Sequence, residues 1–216
     1  MRCRLVGSEM CIRDRSRSVG KSLSEYLEEW EPDAIRYTLA SVLPEQADSE
    51  LSESEMIRRN TEELVATWGN LVQRVFTQIE NNIDNINEAS DETEVDTTLL
   101  KSGEEAFNNV GEHIEKVELK AALQEAMRYV SKVNIYLNET EPWKIIGEDS
   151  KRASRILYTS LTAIDACSNL LSPFMPSTSE KVSNAIPKES NNQWSLNSIK
   201  IGTQIETIGH LFKKFD

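Results

Sequence analysis

The chain is expected to be all-α, an antiparallel helix bundle preceded by a short linking segment. Three observations carry that expectation. Glycine and proline are scarce, 8 and 6 among 216 residues, while the good helix formers leucine, alanine and glutamate are frequent. Apolar residues recur every three or four positions through most of the chain, the spacing that lines one face of a helix. No sustained apolar–polar alternation and no internal repeat is present, so a sheet has no pattern to build on. A chain of this length can bury a proper core.

Composition also excludes function classes. With 24 Lys+Arg against 36 Asp+Glu the net charge is −12, which argues against a DNA-binding protein or a non-specific nucleic-acid coat. A few well-placed RNA contacts stay compatible with it. Cys3, Cys11 and Cys167 form no CxxC pair and no disulfide framework, so a reduced, cytoplasmic setting is expected. No apolar stretch approaches the roughly 18 residues of a membrane span. His113 and His210 stand far apart without cysteine partners, so no metal site is expected.

The first fifteen residues, MRCRLVGSEMCIRDR, are Arg-rich and aperiodic. Ser8 to Arg15 resembles the translation of sequencing-adapter DNA, so residues 1–15 are expected to be a non-native leader, with native sequence from Ser16. From Ser22 the periodicity starts: Leu23, Tyr26, Leu27 and Trp30 mark one helix. Pro32, tolerated in a first turn, opens another with Ile35, Leu39, Val42 and Leu43 on its stripe, and Pro44 ends it. Ser52 and Glu55 stand at capping-box spacing, with Leu51 placed to staple and Met56 opening an apolar face. A long helix follows through Ile57, Leu64, Trp68, Leu71, Val75, Ile79 and Ile83. Trp30 and Trp68 belong to the core, and Gly69 allows a neighbouring helix to approach closely.

Asn81 to Asp96 reads as a helix end and loop. Leu99 to Tyr136 is helical again, with a bend at Val117–Glu118 consistent with its spacing. Asn138 to Ser150 is a connection holding Pro142 and Trp143. Lys151 to Leu171 forms a helix with Ile156, Leu157, Leu161, Ile164 and Leu170 inward. Pro173 and Pro176 break it, Ser177 to Ile186 adds a short helix, and a polar tail closes on Leu211–Phe215. The domain reading is therefore a linking segment over 16–50 and a helical domain over 51–216.

Gly20-Lys21-Ser22 has the ending of a phosphate-binding P-loop, but Arg15 stands where that motif needs glycine and no hydrophobic strand precedes it. Asn70 and Arg74 lie one turn apart on one helix face. An amide and a guanidinium there can hydrogen-bond the edges of unstacked RNA bases, although a plain solvated face is the simpler reading of the spacing. Trp143, after the rigid Pro142, suits either a stacking platform for a base or a cap on the end of the bundle. The Glu-rich clusters around Glu28, Glu62 and Glu104 read as solvated faces. No carboxylate pair, Ser/His/Asp set or Cys/His pair is placed for independent catalysis.

Longer stretches carry a family resemblance. Ser16-Arg17-Ser18-Val19-Gly20 resembles the back half of the KMSKS loop of class I aminoacyl-tRNA synthetases. Tyr26 to Tyr37, Pro44 to Ser52, Asn60 to Val75, the Asn134-x-Tyr136…Pro142-Trp143 element and Leu211 to Phe215 follow in the order and spacing of methionyl-tRNA synthetases. Ala66 to Leu71 together with Pro142-Trp143 favours that family over the leucine, valine, isoleucine and cysteine enzymes.

The resemblance implies a helical anticodon-binding domain that reads the CAU anticodon of tRNA(Met), with Asn70, Arg74, Pro142 and Trp143 contacting the anticodon and Trp143 stacking on a base. It implies that Ser16, Arg17 and Ser18 belong to the ATP-closing loop, Arg17 as its cation. It further implies that Mg-ATP and methionine are held mostly by a nucleotide-binding half whose HIGH-type histidine pair this sequence does not contain, so that the chain alone is expected to be inactive. The rival reading is a free-standing helical module that binds tRNA or a protein without catalysis.

Overall fold

The computed structural model describes residues 23–43, 52–82, 90–189 and 194–215. The leader, the KMSKS-like residues Ser16, Arg17 and Ser18, Leu51 and Ile83 lie outside the described residues. Helices α1 (Leu23–Glu29) and α2 (Pro32–Ser41) lead into α3 (Glu53–Arg59), a π-helix (Asn60–Gly69) and α4 (Asn70–Asn82). The bundle continues with α5 (Glu94–Glu115), α6 (Leu119–Thr140), the one-turn α7 (Pro142–Ile145), α8 (Ser150–Leu171) and α9 (Pro176–Ala185). Among the described residues the only β pairing is one isolated bridge, Lys188 with Ile199.

Pro32 starts α2 as expected, in the first turn where its missing N–H costs nothing. The buried face of that helix differs from the apolar stripe. Asp33, Ala34, Ile35, Tyr37, Thr38 and Ser41 are buried, whereas Leu39 faces solvent, as Leu27 does on α1. Polar residues go inside because each finds a partner there: Asp33 accepts from the Thr178 N–H at 2.6 Å, and Tyr37 donates to Glu63 at 2.5 Å. At α3 only half of the expected box forms. Ser52 accepts from the Glu55 N–H at 3.2 Å, while the Glu55 carboxylate is taken by Arg58 and Arg59.

The stretch from Leu99 to Tyr136 is two helices, not one bent helix. The chain reverses at Lys116–Glu118, with Val117 in the left-handed region at φ 61°. Val117 is exposed there, so the strain of a β-branched residue is the cost of the reversal. Helices α5 and α6 then pack antiparallel, with Asp96 against Tyr136 at one end and Asn109 against Glu125 at the other. Gly103 makes the middle of that contact possible, since a Cβ there would stand 2.6 Å from the Tyr129 hydroxyl oxygen.

Asp96 ties three elements together. It accepts from the Thr93 N–H at 2.8 Å, from the Tyr136 hydroxyl at 2.5 Å, and from both terminal nitrogens of Arg152 at 2.5 and 2.8 Å. Burial alone would push its carboxyl up. Arg152, Tyr136 and Thr93 outweigh burial and hold it at about 2.

Helix α8 runs through the centre, buried without interruption from Arg155 to Leu171. The periodicity marked one apolar side, but α5, α6, α9 and the C-terminal segment surround it. Its polar residues are paired inside. Asp165 meets Lys188 Nζ at 2.6 Å and accepts from Asn197 at 2.8 Å and Asn169 at 3.2 Å, which fixes the C-terminal segment to the bundle. The same segment buries Ile199, Ile208, Leu211 and Phe212, and Phe215 stacks on Trp30 with ring centroids 4.0 Å apart. Trp30 and Trp68 are core residues, 3% and 1% exposed.

Candidate functional site

Asn70, Gln73, Arg74, Thr77 and Gln78 project from α4 at spacings of three and four, so they share one face of that helix. The opposite face is apolar and fully committed: Leu71, Val72, Val75, Phe76 and Ile79 are buried. That division leaves the polar stripe no alternative to the surface. Together with Trp143 these five residues line a groove of about 320 Å³.

Arg74 is the pivot of the groove. Its Nη2 donates to Asn138 Oδ1 on α6 at 2.9 Å, and its guanidinium carbon lies 5.1 Å from the centre of the Trp143 ring. A cation over an indole face is attractive, worth about 0.5–1 kcal/mol where water has access. The guanidinium is thereby held by two elements distant in sequence. It carries five donors in a planar fork, of which the Asn138 contact engages one nitrogen.

Trp143 does not sit in an irregular connection. Pro142 occupies the first position of α7, and Glu141 before it adopts the left-handed conformation at φ 41°, turning the chain sharply out of α6. Pro142 is buried and Trp143 is half-buried, packed on one side against the core. The indole is therefore a platform with a rigid base. In one geometry the ring packs against the core and forms a wall of the groove.

The sequence-predicted residues thus divide. Asn70, Arg74 and Trp143 line one groove, Pro142 supports it from beneath, and Ser16, Arg17 and Ser18 lie outside the described residues. Gln73, Thr77, Gln78 and Asn138 were missed. The first three were legible as neighbours of Asn70 and Arg74 on the same helical face. Asn138 was visible only as the start of the expected connection, and its link to Arg74 spans 64 positions.

Gly69 was expected to admit a helix. A Cβ there would stand 3.1 Å from the Leu64 carbonyl oxygen of its own π-helix and 3.8 Å from Phe212 of the C-terminal segment. What glycine relieves is mainly the widened winding ahead of α4, where Thr67 Oγ1 donates to Glu62 O and Asn70 N–H to Val65 O, each five residues back.

Among the described residues no cluster of His, Cys, Asp and Glu is placed to hold a metal ion, and no helix is long and apolar enough to cross a membrane. What the groove offers is hydrogen-bond donors and acceptors beside an aromatic plane, which suits recognition of a flat polar ligand such as an unstacked base.

Residues 86–216 match the family model described as the anticodon binding domain of methionyl tRNA ligase, and residues 12–76 match that of class I tRNA synthetases of the methionine type. The methionine–tRNA ligase of Thermobifida fusca is 41% identical over 167 residues, covering 77% of this chain and 28% of that protein. That of Chloroflexus aurantiacus is 38% identical over the same length and coverage. The chain therefore spans little more than a quarter of the curated relatives it matches.

The ligand-free methionyl-tRNA synthetase of Mycobacterium tuberculosis superposes with a TM-score of 0.83 at 20% identity, covering 93% of this chain and 42% of that one. The same protein in complex with methionyl-adenylate superposes at 0.80 and 22%, covering 87% and 38%. These likenesses establish the helical fold. With the family model matching well over half of its residues, the chain belongs to the methionyl-tRNA ligase anticodon-binding family.

Proposed function

We propose that this chain reads the CAU anticodon of tRNA(Met) within a methionine–tRNA ligase, using the groove between α4 and α7. The observation that supports it most is the Arg74 guanidinium held between Asn138 and the Trp143 ring, beside Asn70. On this reading an anticodon base stacks against Trp143, and Asn70 and Arg74 donate hydrogen bonds to base edges. Pro142 holds the platform. Such contacts discriminate bases because a wrong base leaves desolvated donors unpaired.

The whole enzyme, on the same reading, joins methionine to its tRNA at the expense of ATP. Ser16, Arg17 and Ser18 belong to the loop that closes on the nucleotide, 16–50 links it to the helical domain, and methionine and ATP are bound by parts beyond this chain. The setting is the cytoplasm. The acidic net charge of −12 fits recognition that rests on a few base contacts more than on phosphate neutralisation.

Fluorescence anisotropy with an anticodon stem-loop RNA tests this. The purified chain should bind a CAU loop at least about ten-fold more tightly than loops with one anticodon base changed, the discrimination of one good base contact. Equal affinity for all loops would remove the reading.

A further inference from the structure

Asn134 belongs to the Asn134-x-Tyr136…Pro142-Trp143 element, yet it lines no part of the groove. It lies on the α6 face turned toward the π-helix and α4, one turn before Asn138. Its Nδ2 donates to Thr67 O on the π-helix at 3.3 Å and to Val130 O of its own helix at 3.2 Å. Thr67 is three residues ahead of Asn70. The residue therefore grips the rod that carries the reading face at the place where its winding changes from π to α.

That place governs where Asn70 and Arg74 point. A turn closed five residues back holds one more residue than a turn closed four back. Converting one such turn to α-winding would rotate everything after it by about 100°. At a side-chain radius of about 5–6 Å this swings Arg74 along an arc of roughly 9 Å, away from both Trp143 and Asn138. A wide turn costs free energy in an isolated helix, so it persists where surrounding contacts hold it. Three do so here: Gly69 beneath the Leu64 carbonyl, the Thr67 hydroxyl on Glu62 O, and the Asn134 amide on Thr67 O. The last alone comes from the helix that also carries Asn138.

We propose that Asn134 is a positioning residue for anticodon recognition: through Thr67 it holds the winding ahead of α4 and so the rotational phase of Asn70 and Arg74 relative to Trp143. The proposal rests on the anticodon reading of the groove. It explains why one short element carries residues with separate tasks. Asn134 sets the phase of the reading helix, Tyr136 anchors α6 on Asp96, and Pro142-Trp143 supplies the platform.

A double-mutant cycle on the full chain tests it, with CAU stem-loop affinity as the readout. Asn134→Ala should weaken binding about ten-fold in the native background and less than about two-fold when Asn70→Ala and Arg74→Ala are already present together, because a residue acting through those two has nothing left to position. Amide exchange across 65–74 should quicken in Asn134→Ala without RNA. A cost that is the same in both backgrounds, or native affinity in Asn134→Ala, would overturn the proposal while leaving the anticodon reading intact. Native affinity in Arg74→Ala would overturn both. Should Asn134→Ala fail to fold, Asn134→Ser, whose shorter side chain can still bond Val130 O of its own helix but cannot reach Thr67 O across the interface, enters the same cycle with the same criteria.

Discussion

Replacing Trp143 with alanine separates a binding platform from a structural cap. The indole is half-buried, so truncation removes both a wall of the groove and part of the packing at the end of the bundle. A base stacked on an aromatic side chain contributes about 1–3 kcal/mol. Loss of the Arg74 contact, about 0.5–1 kcal/mol, frees the guanidinium as well. Together they amount to roughly 1.5–4 kcal/mol, a weakening of CAU stem-loop binding by roughly ten-fold to several hundred-fold. Stability is expected to fall less than for a core tryptophan, where truncation costs about 3–5 kcal/mol.

The assay is anisotropy titration of the stem-loop at a temperature well below the melting midpoint of each variant, with helicity checked by circular dichroism. Trp143→Phe keeps an aromatic plane and should recover most of the affinity. If Trp143→Ala binds like the native chain while remaining helical, the ring is a cap and the stacking argument fails. If Trp143→Phe is as weak as the alanine variant, an aromatic plane is not what the ligand requires.

Three further outcomes are expected. Arg74→Lys keeps the charge but loses the planar fork that reaches Asn138 and lies over Trp143, so stem-loop affinity should drop about ten-fold with only a shallow dependence on salt in both proteins; a steep loss with salt would mean that phosphates, not bases, carry the binding. Gly69→Ala should destabilise the chain by about 1 kcal/mol or more in urea unfolding, because its Cβ meets the Leu64 carbonyl at 3.1 Å; in an ordinary exposed helix the same change stabilises by a similar amount, so the sign decides.

Asp96 gives a pH dependence. Its folded carboxyl is held at about 2, below its ordinary 3.8, so the stability it contributes is present above about pH 4 and is lost as pH falls from there toward 2. The difference is worth about 2 kcal/mol. Asp96→Asn should be less stable at neutral pH and lose less additional stability between pH 5 and 2.5, measured by thermal unfolding across that range; an unchanged acid limb would exclude Asp96 as its source.

What could be read from the sequence and what could not follow one physical division. Local and periodic properties were legible. Pro32 opens a helix, Trp30 and Trp68 lie inside, and Asn70 and Arg74 share a face, because propensity and the 3.6-residue period act within a few residues. Distant partners were not. Nothing near Asp33, Tyr37 or Asp165 announces that Thr178, Glu63 or Lys188 will make its burial affordable, so each broke the apolar pattern unforeseen.

The reversal at Val117 showed only as a possible bend, since a β-branched residue is a poor turn signal and the antiparallel packing of α5 on α6 is what holds it there. By itself the sequence determined that the chain is helical, which faces are apolar, and that Asn70 and Arg74 share one helical face. Only the tertiary structure decided that Trp143 joins them. Arg74 finds Trp143 and Asn138 because α4 and α6 lie side by side, and because a π-wound turn, held from across the interface, sets the angle at which α4 begins.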